Sequence, residues 1–437
     1  MTDQPQLMNT AKADSRTAAI RAMAREDDGE ARRLIAALIA DLFKIPITDV
    51  IINRDQYSLN SLNGFLTSAG ADYFFKFHQE EGEEAMAGEY YRADILAEAG
   101  LPIDLPVYKS VMAGEQILIY RRRTDPRFSD VLRRLDIGLD DAAEDRAIAA
   151  ETALNGEIFR VFERSLHPIT AAESEAEPVH RLFHQRMIDP STGLAPGGRY
   201  RQFYIGQRFR FPGADLSWDE FSSARICFNG TTYRRSVGAL FEDALHRLDP
   251  RHLADAGGVI AHGDAHNANV WYLDDALQPR LMYFDPAFAG ENVPALLAEV
   301  KATFHNCLAH PFWLYEPAEA ERRYQTRANY RDGILSIETD WDLSAVRKRL
   351  LHAKAAEVWR PLLALLRTRG LLPGDWRQVI RNALFLCPTL VMNLRAGAAT
   401  HNPSSSAIAF GVAVMVGSEP DRGSDLMTAF FDSIDPA

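Results

Sequence analysis

Eight residues, His262-Gly263-Asp264-Ala265-His266-Asn267-Ala268-Asn269, constrain this chain more than any other stretch. Val259-Ile260-Ala261 before them reads as a short buried strand. Val270-Trp271-Tyr272-Leu273 reads as a second strand and Leu281-Met282-Tyr283-Phe284 as a third, with Asp274-Asp275 and Pro279 punctuating the gap between those two. The spacing predicts a loop running into a hairpin whose second arm returns Asp285 to the side of the loop. One aspartate, an asparagine five residues on, and a second aspartate across the hairpin then become neighbours. Gly263 argues against a helix at this place.

Phosphoryl transfer to a hydroxyl calls for such a set. One carboxylate accepts the hydroxyl proton or orients the hydroxyl, while an amide oxygen and a second carboxylate hold Mg²⁺ on the nucleotide phosphates. Singly, Asp264 and Asn269 are residues common in turns, and Asp285 before Pro286 is a turn initiator; the spacing is what carries the chemistry. His262 and His266 stand four apart, but no further Cys, His or carboxylate lies at zinc spacing, so they read as framework residues with His266 the nearer to the chemistry.

The stretch resembles the catalytic loop of the aminoglycoside phosphotransferase and choline kinase group, whose pattern is H-G-D-x-H-x-x-N. The resemblance spans roughly Ile45 to Glu299 and is specific only at this loop and at Phe284-Asp285. It implies a protein-kinase-like two-lobed α+β fold, with a small N-terminal β-sheet lobe and a larger, mostly helical C-terminal lobe. It implies Asp264 as catalytic base or orienter, His266 beside it, and Asn269 and Asp285 as Mg²⁺ ligands. Many members carry another aspartate soon after the metal aspartate; here Leu296 and Leu297 occupy that neighbourhood, which leaves the anchoring of that segment open.

Upstream, Asp49-Val50-Ile51-Ile52 reads as one strand and Gly64-Phe65-Leu66-Thr67 as its partner, with the polar stretch Ser58 to Gly64 between them. A polar stretch there is ordinarily a turn. The resemblance implies a loop over the nucleotide phosphates, with Ser61 and Asn63 as cofactor-binding residues whose side chains and backbone N–H groups donate to phosphate. Tyr73 to His78 is the next strand, and alternation puts Phe74, Lys76 and His78 on one face. A lysine in an aromatic strand is an edge residue reaching solvent or, as the resemblance implies, the residue that grips the nucleotide phosphates. The helix that follows, about Glu83 to Ala99, offers Glu89 as the carboxylate orienting Lys76, with Glu83 and Glu84 as alternatives. Leu105 to Tyr108 and Gln116 to Tyr120 read as the last strands of the small lobe, followed by Arg121-Arg122-Arg123. Residues 1–28 are expected to be a mobile tail, 29–122 a nucleotide-binding lobe with a leading helix from Ala31 to Phe43, and 123–437 a catalytic and acceptor-binding lobe. Phe288 to Pro294 resemble the short segment that follows the metal aspartate in that group, and the remainder reads as helical, in Ala345 to Thr368, Asp375 to Phe385 and Ala407 to Val416. The irregular stretch from Asp189 to Gly213 and the C-terminal helices are where acceptor specificity is expected.

With 437 residues the chain has room for two lobes, and 47% hydrophobic with 25% charged residues is an ordinary globular composition. A net charge of −12 argues against a nucleic-acid partner. The longest apolar runs are too short to span a bilayer, and no basic segment followed by an apolar core opens the chain, so no membrane partner and a cytoplasmic location are expected. Cys227, Cys307 and Cys387 lie far apart and suggest no disulfide or metal motif. The sequence thus predicts a Mg²⁺-dependent phosphotransferase moving the γ-phosphate of ATP or GTP to a hydroxyl of a small molecule such as an aminoglycoside, amino alcohol or sugar. A protein or peptide kinase, a non-catalytic nucleotide-binding regulator and an adenylyl transferase are the alternatives.

Overall fold

The computed structural model describes residues 15–53, 61–78, 87–112, 114–138, 140–275 and 277–436. The chain divides into two compact units, one of Met1–Asp94 with Asp104–Thr124, the other of Ile95–Ile103 with Asp125–Ala437. The smaller is built on an antiparallel sheet and the larger is mostly helical, as an α+β two-lobed plan requires.

In the smaller unit two helices, α1 (Arg16–Glu26) and α2 (Asp28–Phe43), follow one another directly. Ser15 caps α1 by accepting from Ala18 N, and Asp27 separates the helices, its carboxylate accepting from Glu30 N at 3.0 Å. Residues 16–26, within the span expected to be a mobile tail, form this first helix. Thr17 N donates to Gly114 O at 3.0 Å, and Ile20 joins Ile35, Leu38 and Ile39 of α2 in one core with Val50 and Phe75 of the sheet. The strands are β1 (Asp49–Ile52), β2 (Ser61–Ser68), β3 (Ala71–His78), β4 (Tyr108–Ser110) and β5 (Ile117–Arg121), in the order β1-β2-β3-β5-β4. Helix α3 (Ala87–Ala99) precedes β4, with Ala93 and Leu96 buried.

Two expectations are corrected here. Of the segment Leu105 to Tyr108 only Tyr108 belongs to a strand; Leu105 and Val107 are 42% exposed, and Val107 N donates to Ile119 O at 2.8 Å just ahead of β4. Ser61 to Gly64 belongs to β2 and not to a loop, and residues 54–60 lie outside those described. Gly64 is needed for strand packing: a Cβ there would stand 2.1 Å from Ile51 O.

The larger unit opens with α4 (Phe128–Ile137) and the long α5 (Asp141–Ser165). Its strands form small separate sheets. β6 (Arg208–Phe211) pairs β7 (Ala214–Ser217), and β10 (Gly258–Ala261) pairs β13 (Gly290–Pro294). β11 (Val270–Leu273) pairs β12 (Arg280–Tyr283). A four-stranded sheet has the order β14-β15-β8-β9, from β8 (Arg225–Phe228), β9 (Thr231–Thr232), β14 (Thr326–Arg331) and β15 (Ile334–Thr339). The remainder of the chain, expected to be helical, thus also contains the β14–β15 hairpin. β14 and β15 turn at Asp332-Gly333, both with positive φ (50° and 77°), the conformation that an Asp-Gly pair favours in a two-residue hairpin. Two apolar helices, Trp376–Val391 and Pro403–Gly417, pack together as the centre of the unit. No helix among the described residues is long and apolar enough to cross a membrane.

Candidate active site

Everything that follows from Asp264 is built by β10, the β11–β12 hairpin and the turn between them. β10 ends at Ala261, His262 is buried, and Gly263 adopts φ 75°. A Cβ on Gly263 would stand 2.4 Å from Phe288 O, so only glycine lets the chain turn here against the segment after Asp285. His262 Nε2 donates to Phe284 O at 3.0 Å, tying the loop to the residue before Asp285. That bond leaves Nδ1 without a proton, and burial holds the imidazole below its usual pKa, so His262 is a neutral strut.

Within the loop, His266 N donates to Asp264 O at 2.8 Å and Asn269 N to His266 O at 2.8 Å, closing one 3₁₀ turn at Asn267–Asn269. Ala268 N donates to His266 Nδ1 at 3.2 Å, which turns the other ring nitrogen, Nε2, toward Asp264 Oδ2 at 3.7 Å. The Asn269 amide donates to Asp264 O at 3.1 Å. Its Oδ1 makes no hydrogen bond among the described residues. Phe284 N donates to Asn269 O at 3.0 Å, so Asp285 follows a residue bonded to Asn269 itself. Asp285 has φ 56°, a left-handed conformation that a β-carbon makes costly and that the surrounding bonds enforce. The loop therefore brings Asp264, His266, Asn269 and Asp285 together, as their spacing predicts.

Asp264 is a carboxylate only 14% exposed, and its Oδ1 accepts no hydrogen bond among the described residues. Burial alone would raise its pKa. The Lys301 ammonium, first among the neighbouring charges, and Arg186 outweigh that and hold it below the ordinary carboxylate value. Lys301 Nζ stands 3.6 Å from Asp264 Oδ1 and donates to His305 Nε2 at 3.1 Å. His305 Nδ1 in turn donates to the Tyr315 hydroxyl at 2.7 Å, and burial keeps His305 neutral, its pKa well below normal.

Reasoning from sequence missed Lys301, and it missed the support beneath the loop. Asn267 N donates to Asn306 Oδ1 at 2.7 Å. Arg347 Nη1 donates to Asn306 O at 2.8 Å, and Arg347 Nη2 lies 2.7 Å from Asp136 Oδ2. Ser344 Oγ donates to Asp136 at 2.7 Å, and His310 stands 3.6 Å away. Asn306 sits in the π-helical turn Thr303–Leu308, the kind of local widening that often marks a functional place in a helix. The segment from Leu296 to Glu299, where an anchoring aspartate was missing, is secured in another way. Leu296 and Leu297 are buried, and Glu299 accepts from Lys354 at 2.9 Å inside the core, with Glu151 3.3 Å from the same ammonium.

The four expected nucleotide-binding residues belong to the smaller unit. Lys76 is half-buried in β3 and faces Asn63 of β2 as its direct cross-strand partner. Asn63 is 4% exposed and accepts from Asn53 Nδ2 at 3.1 Å, so it is a strand residue tied to its neighbour, against the expectation of a loop donor. Ser61 lies in β2 and Glu89 in α3, and both side chains are outside those described. Of the arginine run, Arg123 pairs with Asp104 at 3.0 Å and Arg122 covers the Phe65 ring at 4.5 Å.

Asn269 Oδ1 and the Asp285 carboxylate are hard oxygen donors of the kind Mg²⁺ takes when phosphates and water supply the remaining ligands. A site of that design needs no all-protein cage, and no cluster of three or more His, Cys, Asp or Glu suited to a metal occurs among the described residues.

No protein-family model matches the chain, and no curated protein is similar to it. Among solved structures it is similar to spectinomycin phosphotransferase APH(9)-Ia in complex with ADP and spectinomycin, at 13% identity and a TM-score of 0.41, covering 88% of this chain and 97% of that one. A thermostable variant of aminoglycoside phosphotransferase APH(4)-Ia, in ternary complex with ADP and hygromycin B, gives 13% identity and 0.43 over 88% and 97%. A putative fructosamine-3-kinase from Thermobifida fusca gives 14% and 0.39 over 87% and 98%. With scores below 0.5, the fold and the site stand on the elements described above.

Proposed function

We propose that the protein is a phosphotransferase that moves the γ-phosphate of ATP or GTP to a hydroxyl of a small molecule. The observation that carries this reading is Asp264 Oδ1: a buried carboxylate oxygen, held ionised by Lys301, with no donor among the described residues. A buried acceptor left in that state is stabilised by an incoming O–H. The acceptor hydroxyl would donate to it, which aligns the oxygen for attack and gives its proton a destination as the new P–O bond forms.

Asn269 and Asp285 would hold Mg²⁺, which when bound draws charge from the nucleotide phosphates. Both are rigidly placed by the His262, Asn269 and Phe284 bonds, and positioning is most of what phosphoryl transfer asks of a protein. Lys76 would contact the nucleotide phosphates and Glu89 would orient it; Ser61 and Asn63 would lie near them. The domain limits 29–122 and 123–437 are proposed as the nucleotide-binding and the catalytic parts.

The test is nucleoside diphosphate release with Mg²⁺ and ATP or GTP over aminoglycosides, amino alcohols, sugars, sugar phosphates and hydroxy acids. Acceptor-dependent release that Asp264→Asn abolishes is the expected result. Nucleotide binding without release for any small acceptor would favour a protein acceptor or a regulator, and failure to bind nucleotide would end the proposal.

A further inference from the structure

Lys301, Arg186 and Arg199 are three cations whose hydrogen bonds do not hold the loop. Lys301 is 4% exposed and its nearest carboxylate is Asp264 itself. Arg186, at the end of the short turn His184–Arg186, and Arg199, in the helix Gly198–Phe203, reach the C-terminal end of the helix Trp376–Val391. Arg199 Nη1 donates to Leu390 O at 2.9 Å and to Val391 O at 3.0 Å, and Arg186 Nη1 donates to the same Leu390 O at 3.3 Å. The two guanidinium groups are neighbours because they share one carbonyl.

Capping the helix explains one arginine and not two. Arg199 alone satisfies both carbonyls, and adding Arg186 places a like charge beside it in a half-buried setting. Burial and then the Arg199 charge push the Arg186 pKa down to about 10, while Asp264 opposes the fall. Neither arginine has a carboxylate within ion-pair distance among the described residues. Acids are not scarce, since the chain has 60 Asp and Glu against 48 Lys and Arg. Arginines elsewhere in the same unit find them: Arg347 with Asp136, Arg377 with Asp432, Arg349 with Glu144. The helix Trp376–Val391, whose end both arginines bond, packs against the segment Val300–Leu308 that carries Lys301 and His305, and Arg186 is among the charges that lower the Asp264 pKa, so the pair belongs to the surroundings of the reacting carboxylate. An uncompensated cationic pair there is a ready partner for a bidentate oxyanion.

We propose that Arg186 and Arg199, with Lys301, form an anion subsite beside Asp264, and that the acceptor is a hydroxyl compound carrying its own phosphate or carboxylate group. This rests on the phosphotransferase reading and narrows it. A polycationic aminoglycoside would meet like charge here, and a neutral sugar would leave the arginines uncompensated. The irregular segment that holds Arg199 is then part of acceptor selection.

The same oxyanion chemistry could be supplied by the nucleotide's γ-phosphate, and the experiment separates the two. Inorganic phosphate is titrated against the full chain by calorimetry at constant ionic strength in chloride, with and without saturating non-hydrolysable ATP analogue and Mg²⁺. Expected is saturable binding that survives the analogue, falls at least tenfold in the Arg186→Gln/Arg199→Gln double variant, and recovers in part in Arg186→Lys/Arg199→Lys, which keeps the charges but not the paired donors and shows that the loss is not one of fold. Phosphate binding displaced by the analogue would assign the cations to the nucleotide and overturn the acceptor class. Equal phosphate binding in wild type and the Gln variant, or none in either, would overturn the subsite. Binding of phosphate without any binding of the analogue would keep the subsite and overturn the phosphotransferase reading.

Discussion

Lys301 Nζ lies 3.6 Å from Asp264 Oδ1, and this pair decides the state in which the carboxylate waits. Asp264 is buried enough to be protonated by preference, yet the ammonium, first among its neighbours, keeps its pKa below normal. Lys301→Met removes that charge, so burial dominates and the Asp264 pKa climbs. A base with a raised pKa loses its ionised form at higher pH, so the acid limb of the kcat/KM profile should move to higher pH. An unmoved limb in a folded Lys301→Met variant would show that Asp264 is not the titrating base. Asp264→Asn, which keeps the shape and removes the base, should lower kcat by about 10²–10⁴ with nucleotide affinity retained.

Asn306 Oδ1 accepts from the buried Asn267 N–H at 2.7 Å. Asn306→Leu should cost about 1–3 kcal/mol in urea unfolding, because the donor loses its partner and gains none. The loop it supports carries Asp264 and Asn269, so kcat should fall by more than KM rises. Asn306→Asp, which restores an acceptor oxygen, should recover much of both losses; a variant as impaired as Asn306→Leu would exclude this role.

Arg347 and Asp136 are both buried, at 2% and 0% exposure, and are 2.7 Å apart. Burial opposes the Asp136 charge, but the nearby His310 and the bonded Arg347 guanidinium hold its pKa well below normal. Arg347→Met leaves that charge unpaired and removes the donor to Asn306 O, so a loss of about 3–5 kcal/mol is expected. Adding Asp136→Leu should return part of the stability, since the unpaired charge, and not the missing contact, is the larger cost.

Metal binding can be separated from turnover. Asp285→Asn keeps an oxygen and removes a charge, so nucleotide affinity should fall in the presence of Mg²⁺ and stay unchanged without it, as calorimetry would show. Equal affinities in wild type and variant at every Mg²⁺ concentration would exclude Asp285 as a ligand.

What the sequence made legible was local. The strands at Asp49–Ile52 and Val270–Leu273 follow from short apolar runs bounded by turn residues, and the loop from Gly263 and the Asp/Asn spacing. Asp332-Gly333 was a readable hairpin signal that a helical reading of the region overrides wrongly. The partners of Asp264 were not legible. Lys301, Asn306, Arg186 and Arg347 come from separate elements, and only tertiary packing brings them near the loop. Asn63 was placed in a turn for a related reason: polar residues signal a turn, but here it lies in β2 and its side chain accepts from Asn53 Nδ2.

Stability should fall in mild acid for reasons unconnected with the site. His180 and His401 are buried, at 0% and 3% exposure, and burial pushes both pKa values down to about 4. An unfolded histidine takes a proton near pH 6.5, so below that pH the unfolded chain binds protons that the native chain refuses. The stabilising difference is intact above about 6.5 and is lost progressively as pH falls toward 4, by up to about 3 kcal/mol per histidine. Unfolding at pH 5 should take up about two protons from this pair alone. Urea titrations from pH 7 to 4.5 give the total uptake as the slope of unfolding free energy against pH, to which the buried His262 and His305 also contribute beside the roughly two protons of this pair. His180→Gln/His401→Gln should flatten the slope by the same amount, and an unchanged slope would mean that neither histidine is buried neutral in solution.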